Sequence, residues 1–167
     1  MPPFDRLIRL AVPEDAAAIA LLAEQLGYSV APQAVWERLK HLEGDPDHAI
    51  YIAHSSSVAV LGWIHIYARQ SLLVGQVAEI GGLIVDQNCR GQGIGRLLLQ
   101  QAEQWAHKQD CRSIVVRSNT QRQAAHQFYK HLGYQGCKTQ LVFNKGLPEV
   151  MEKRSHSSSA FGISAGE

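Results

Sequence analysis

Residues Leu83–Leu98 read LIVDQNCRGQGIGRLL. An apolar, strand-like segment passes through a turn punctuated by Gly91, Gly93 and Gly95 and enters an apolar segment of helical character. Glycine lacks a Cβ and adopts positive φ at little cost, so such a turn can aim successive main-chain N–H groups into one concavity. The start of the following helix adds unpaired N–H donors and a partial charge of about half a unit. Together they form a seat for phosphate, to which Arg90 and Arg96 add charge-assisted hydrogen bonds. A P-loop would need Lys and then Ser or Thr after its last glycine, whereas Gly95 is followed by Arg96 and Leu97. A dinucleotide fingerprint needs GxGxxG with an acidic residue at the end of the next strand. Here the spacing is GxGxG, and Asp110 precedes the next strand.

Working outward, the segments flanking this turn alternate between strand and helix patterns. Upstream, Leu7–Val12 reads as a strand closed by Pro13, with Glu14 and Asp15 ahead of a helix over Ala16–Leu26 that Gly27 stops. A second helix runs from Pro32 to about Leu42 and breaks at Gly44–Asp47. Strands over Ala49–His54 and Val58–Tyr67 are joined by Ser55–Ser57 as a hairpin. In the second of them Trp63, His65 and Tyr67 share one face. Ala78–Asp86 is a further strand whose Gly81–Gly82 pair marks a bulge or a close approach by another backbone or ligand.

Downstream, a helix over Ile94–Gln109 leads to a strand over Ser113–Arg117 and a helix over Gln121–Leu132. Ser118 or Thr120 is the expected cap of that helix, and Gly133 with Tyr134 its C-terminal stop. Strands around Tyr134–Gly136 and Gln140–Phe143 complete the expected order, β-α-α-β-β-β-α-β-α-β-β. That order specifies a mixed α/β or α+β fold, not a simple doubly wound one. The serine-rich segment 151–167 is expected to be a tail on a single domain over residues 1–150.

Composition narrows the function. With 167 residues, 46% of them apolar, the chain has material for one hydrophobic core. Sixteen Lys and Arg balance fifteen Asp and Glu, so no broad field draws it to nucleic acid or to a membrane surface; any polyanion site is local. Cys89, Cys111 and Cys137 are too few and too scattered for a disulfide framework and lack zinc spacing, and no metal site is expected. Asp5, Arg6 and Arg9 interrupt what a secretory leader would need to be apolar, and no run of about 18 apolar residues occurs; a cytoplasmic location is the expectation.

The pattern R-x-x-G-x-G in RGQGIG, Arg90–Gly95, together with SNTQRQAAHQFYKHLGY, Ser118–Tyr134, resembles the GCN5-related N-acetyltransferase (GNAT) family. The likeness extends in order over PEDAAAIA from Pro13, QLGY from Gln25, GWIH from Gly62 and KTQLVFNK from Lys138, about Leu7–Leu147 in all. It implies a central, mostly antiparallel sheet with helices on both faces. It also implies an acetyl-CoA site in which Leu83, Ile84 and Val85 offer backbone groups to pantetheine. The turn Arg90, Gly91, Gln92, Gly93, Ile94, Gly95 and Arg96 would hold the pyrophosphate, and Asn119 would bond the pantetheine. The strands carrying Leu83 and Val115 would splay to admit the thioester.

Acetyl transfer to an amine has three physical requirements. An alkylammonium with a pKa of about 10 must lose a proton before attack. The developing oxyanion needs a donor, which a strand N–H at Leu83 or Ile84 supplies. The departing thiolate needs an acid. The resemblance assigns that acid to Tyr129 and the base to Glu79, acting directly or through water. His65 is the rival base, and His126 is read as structural. Tyr28, Trp63, His65 and Tyr67 are the candidate acceptor-binding residues. A small-molecule primary amine is the first choice of acceptor, a protein N-terminus or lysine the second. A non-catalytic acyl-CoA-binding module is the alternative from another class, and homodimer formation is a weak expectation of the fold.

Overall fold

The computed structural model describes residues 7–56 and 59–147. Five strands form one sheet in sequential order: β1 (Leu7–Leu10), β2 (His48–His54), β3 (Val60–Ser71), β4 (Gly75–Val85) and β5 (Ile114–Val116). The first four pair antiparallel, and β5 joins β4 in parallel after a helical crossover. Four α-helices complete the fold: α1 (Ala16–Gln25), α2 (Pro32–Leu42), α3 (Ile94–Lys108) and α4 (Gln123–His131). The mixed α+β class is the one that the sequence specifies, and the mostly antiparallel sheet is the one that the family resemblance implies.

The period-two pattern of the central strands sends alternate side chains to opposite faces. Ile64, Ile66, Ala78 and Ile80 point to one face and pack with Leu98, Leu99, Ala102 and Trp105 of α3. Ile52 and Trp63 point to the other and pack with Ala16, Ile19 and Ala20 of α1 and Val35 of α2. Complete burial of Ile52, Ile64 and Ile66 stabilises the sheet by about 1.5–3 kcal/mol per side chain.

Both glycine stops act as the sequence suggests. Gly27 and Gly133 have φ of 95° and 90°. Tyr28 N–H donates to the Ala23 carbonyl and Tyr134 N–H to that of Tyr129, satisfying carbonyls at the ends of α1 and α4. The arginine and aspartate before α1 are joined as well: Arg9 donates to both Asp15 oxygens at 2.7 and 2.8 Å, and Val12 N–H adds a third bond.

Several expectations are corrected. The β3–β4 hairpin extends to Ser71 and Gly75, further than the apolar pattern indicates: its added rungs are mostly polar, and the bonds from Arg112 N–H to the Gln76 carbonyl and from Gln76 Nε2 to the Gln109 carbonyl come from segments distant in sequence. Ser55 N–H closes the β2–β3 turn onto the Ala59 carbonyl; Ser57 and Val58 lie outside the described residues. Helix α4 begins at Gln123 rather than Gln121. Neither Ser118 nor Thr120 caps it; the Asn119 side chain instead accepts from Gln121 N–H and holds the preceding turn.

The strands expected around Tyr134–Gly136 and Gln140–Phe143 do not form. Tyr134 is consumed in ending α4, and Leu141, Val142 and Phe143, three consecutive apolar residues without alternation, are 84–88% exposed. The chain divides after Gln135 into two units, and in the second the described residues 136–147 contain no helix or strand. The proposed tail, 151–167, lies outside the described residues.

Candidate active site

The site originates in the geometry of β4. Its pairing with β3 slips at Gly81, so that His65 faces Gly82 while the next residue, Ile66, faces Ile80. Gly81 is the extra residue of a bulge, and the glycine pair exists for a steric reason. A Cβ on Gly82 would stand 2.8 Å from the Trp63 ring, and one on Gly81 3.1 Å from Tyr67 and 3.3 Å from His65. On the opposite edge, β4 pairs with β5 only over Ala78–Ile80. From Gly81 to Val85 that edge has no neighbouring strand among the described residues, and the two strands open into a wedge.

Two cavities meet at this wedge. The larger, about 1,020 Å³, is lined by Leu83, Ile84, Val85, Arg90, Gly91, Gly93, Ile94, Gly95 and Arg96, with α4 residues from Ala124 to Tyr129 opposite. Gly91 and Gly93 have φ of 73° and 84°, which makes the turn, and a Cβ on either would meet nothing within 4 Å. Gly93 is the N-cap of α3, so the amides of Ile94, Gly95 and Arg96 precede the first intrahelical bond, from Leu97 N–H to the Gly93 carbonyl. Arg90 Nε donates to the Val85 carbonyl, bracing the turn against β4. Gly95 differs from the other two. Its Cβ would touch the Phe128 ring at 3.3 Å, so it also allows α4 to approach α3. Gln92 is exposed on the turn and is not among the lining residues.

This larger cavity fits a coenzyme-A-like molecule. Its lining carries Arg90, Arg96 and Arg122 and, among the described residues, no carboxylate, and it runs from main-chain donors at a helix start to an apolar strand edge.

The smaller cavity, about 220 Å³, lies at the wedge itself, lined by Tyr28, Gly81, Gly82, Val116, Arg117, Ser118, Asn119, Arg122 and Tyr129 among others. Tyr129 lines both cavities, as do Leu83 and Arg122. Its phenol is pushed up to about 12 by burial, against a small opposing effect of Arg122, so it is protonated throughout the neutral range. Phe128 meets its ring edge-on at 5.2 Å and Tyr134 packs at 5.6 Å, which fixes its orientation. Arg122 Nη2 donates to the Leu26 carbonyl, tying the start of α4 to the end of α1. His126 Nε2 lies 3.0 Å from the Asn119 carbonyl and braces the same turn, a structural position.

Glu79 is 5% exposed, on the face of the sheet opposite α3. Arg69 Nε donates to one of its oxygens at 2.9 Å and Arg117 Nη1 to the other. Sequence reading found the carboxylate and missed both arginines, because only the strand register brings residues 10 and 38 positions away onto it.

Of the expected acceptor-binding rings, Tyr28 lines the wedge cavity. Trp63, His65 and Tyr67 line neither cavity; their rings cover the glycine pair from the α1 and α2 side. His65 Nε2 lies 3.0 Å from His48 Nδ1 and its ring packs against Tyr67. Burial, with the neighbouring His48 as a second contribution, lowers His65 to about 4. No helix among the described residues is long and apolar enough to cross a membrane.

Residues 16–134 match the Acetyltransferase (GNAT) family. The chain is 26% identical over 144 residues to the aminoglycoside N(6')-acetyltransferase type 1 of Stenotrophomonas maltophilia, a match spanning 84% of this chain and 93% of that protein. Among solved structures, the aminoglycoside N-acetyltransferase AAC(6')-Iy in complex with CoA superposes with a TM-score of 0.77 at 17% identity, covering 87% of this chain and 98% of that one. Glucosamine-6-phosphate N-acetyltransferase from Arabidopsis thaliana gives 0.73 at 17% identity, covering 83% and 97%. With the family match spanning most of the fold and a cradle of the matching chemistry at the α3 turn, the chain belongs to the GNAT family of N-acetyltransferases, and acetyl-CoA is its co-substrate.

Proposed function

We propose that this N-acetyltransferase acetylates the primary amine of a small molecule by direct attack, and that the wedge between β4 and β5 is where the two substrates meet. The observation that carries this reading is the position of Tyr129, which lines both the large cavity and the small one. Acetyl-CoA supplies a thioester: the amine nitrogen bonds to the acetyl carbon, the carbon–sulfur bond breaks, the nitrogen gives up its proton through water, and the departing sulfur takes one from Tyr129, which is reprotonated from solvent. The relatives named for aminoglycosides and glucosamine-6-phosphate support a small-molecule acceptor.

In this reading the amides of Ile94, Gly95 and Arg96, with the Arg90 and Arg96 side chains, hold the pyrophosphate. The unpaired edge from Leu83 to Val85 holds the pantetheine, and a β4 N–H at Leu83 or Ile84 faces the oxygen that gains charge. Asn119 holds the pantetheine from the other side, since its engaged Oδ1 leaves the amide NH₂ to donate. Tyr129, a neutral phenol, donates to the departing sulfur. Both Glu79 oxygens already accept from guanidinium groups, which favours uptake of the amine proton through water over direct contact. A base at about 4, such as His65, is poorly matched to an ammonium near 10.

Incubating the protein with acetyl-CoA and a panel of primary amines, with thiol release as the readout, tests the proposal. Release that depends on a small amine is the expected result. Release only with peptides bearing a free N-terminus or lysine would overturn the small-molecule assignment.

A further inference from the structure

The charge around the wedge cavity identifies a feature of the acceptor. Arg117 and Arg122 line it, with Tyr28, Ser118, Asn119 and Tyr129, and no Asp or Glu lines it among the described residues. The two charged side chains that line it are both arginines. Asn119 is assigned to the pantetheine, so the charge offered to the acceptor is read from the two arginines. Arg122 uses Nη2 on the Leu26 carbonyl and Arg117 uses Nη1 on Glu79; a guanidinium has five N–H bonds, so each retains donors.

The carboxylate behind the cavity does not reverse this balance. Glu79 is buried and shared by Arg69 and Arg117, whose side chains are 39% and 58% exposed. Two positive charges on one negative leave the cluster at a net +1, and Arg122 adds another. Three other acidic residues near α1 and α2 have partners of their own. Glu37 accepts from Gln33, Glu43 pairs with Lys40, and Asp45 accepts from Asp47 N–H. None of these, nor Glu24, lines either cavity. A polycationic acceptor would meet like charge here with no carboxylate to receive it.

We infer that the acceptor is an amine that also carries an anionic group, a carboxylate or a phosphate, and that Arg117, held by Glu79, is the residue that selects it, with Arg122 beside it. The inference rests on the proposed function and specifies its acceptor. The buried carboxylate aims the arginine, and the planar fork of the guanidinium matches either anion. Arg122 also borders the large cavity, so Arg117, which lines only the small one, is the discriminating position.

The test compares kcat/KM for matched acceptors: an α-amino acid against its amide, an amino sugar against its phosphate monoester, and spermidine as a polycation. At least one anionic member is expected to exceed its neutral partner by tenfold or more, the two pairs distinguishing carboxylate from phosphate. Arg117→Gln should reduce that preference by about 10- to 100-fold, the range for a hydrogen bond to a charged group. Arg117→Lys should restore part of it, while the acetyl-CoA Kd by calorimetry stays within about twofold. A neutral amine or spermidine as the best acceptor of the wild-type protein overturns the inference without any variant, and so does a preference that Arg117→Gln leaves intact. Failure of the underlying reading looks different: no small amine of any charge then releases thiol.

Discussion

At the scale of single residues, Tyr129 is the group whose chemistry is most constrained by its surroundings. Burial holds the phenol at about 12, and two aromatic neighbours fix its ring at the junction of the cavities. A proton donor must be protonated where the enzyme works, and this one is so at every pH below about 12. Removing only its hydroxyl tests the role, because phenylalanine keeps the packing. Tyr129→Phe is expected to lower kcat by about 10²–10⁴-fold, the usual span for general acid–base catalysis, with acetyl-CoA affinity little changed. The wild-type kcat should show no alkaline loss due to Tyr129 below about pH 11. An unchanged kcat under single-turnover conditions would remove Tyr129 from the chemistry. Glu79 teaches the complementary lesson. The sequence displays a strand carboxylate, but what that carboxylate does depends on Arg69 and Arg117, and neither adjacency is a local property of the chain.

At the scale of elements, the glycine turn before α3 is legible because its information is local. Positive φ at Gly91 and Gly93, and a helix start immediately after them, follow from residue type and order. The glycine stops of α1 and α4 are legible for the same reason. The strands expected after α4 fail because short apolar runs without alternation do not specify a buried face, and the hairpin is longer than expected because its added rungs are mostly polar and are held in part by the segment before β5, a contact distant in sequence. Gly81 and Gly82 show a mixed case. A bulge can be read from the glycines, but the rings of Trp63, His65 and Tyr67 that require them come from the neighbouring strand. The rings are legible as one face of a strand, whereas their packing over the glycine pair is not.

That same ring face has a consequence for stability. His65 sits at about 4 when folded and near 6.5 when unfolded, so between those values the folded state binds fewer protons. The stability associated with its neutral form is fully present above pH 6.5 and declines as pH falls towards 4. The decline amounts to a loss on the order of 3 kcal/mol. Urea midpoints should fall on acidification through this window, and His65→Phe should make the fall shallower. Parallel slopes for the two proteins would show that another group governs the loss.

At the scale of the whole molecule, the cradle couples cofactor binding to folding. Its parts come from β4, the turn after it, α3 and α4, and they face one cavity only when the sheet and its crossover are assembled. A ligand that binds only this assembled state stabilises it by mass action, by about 2.7 kcal/mol at a concentration 100 times Kd. For a chain of this size that corresponds to a rise in Tm of about 5–10 °C. Gly93→Glu places a side chain where φ is 84° and a negative charge in the proposed phosphate seat. The variant is expected to lose the acetyl-CoA-induced rise altogether, with its ligand-free Tm lowered by the cost of a side chain at positive φ, about 1–2 kcal/mol, and by no clash, since a Cβ there meets nothing within 4 Å. Gly95→Ala separates packing from binding at the same turn. Its Cβ contacts the Phe128 ring rather than open space, so its cost should appear in the ligand-free Tm while the rise with acetyl-CoA is largely retained. If Gly93→Glu kept the full rise, the turn would not be the phosphate seat, and the cofactor's place in this fold would have to be found elsewhere.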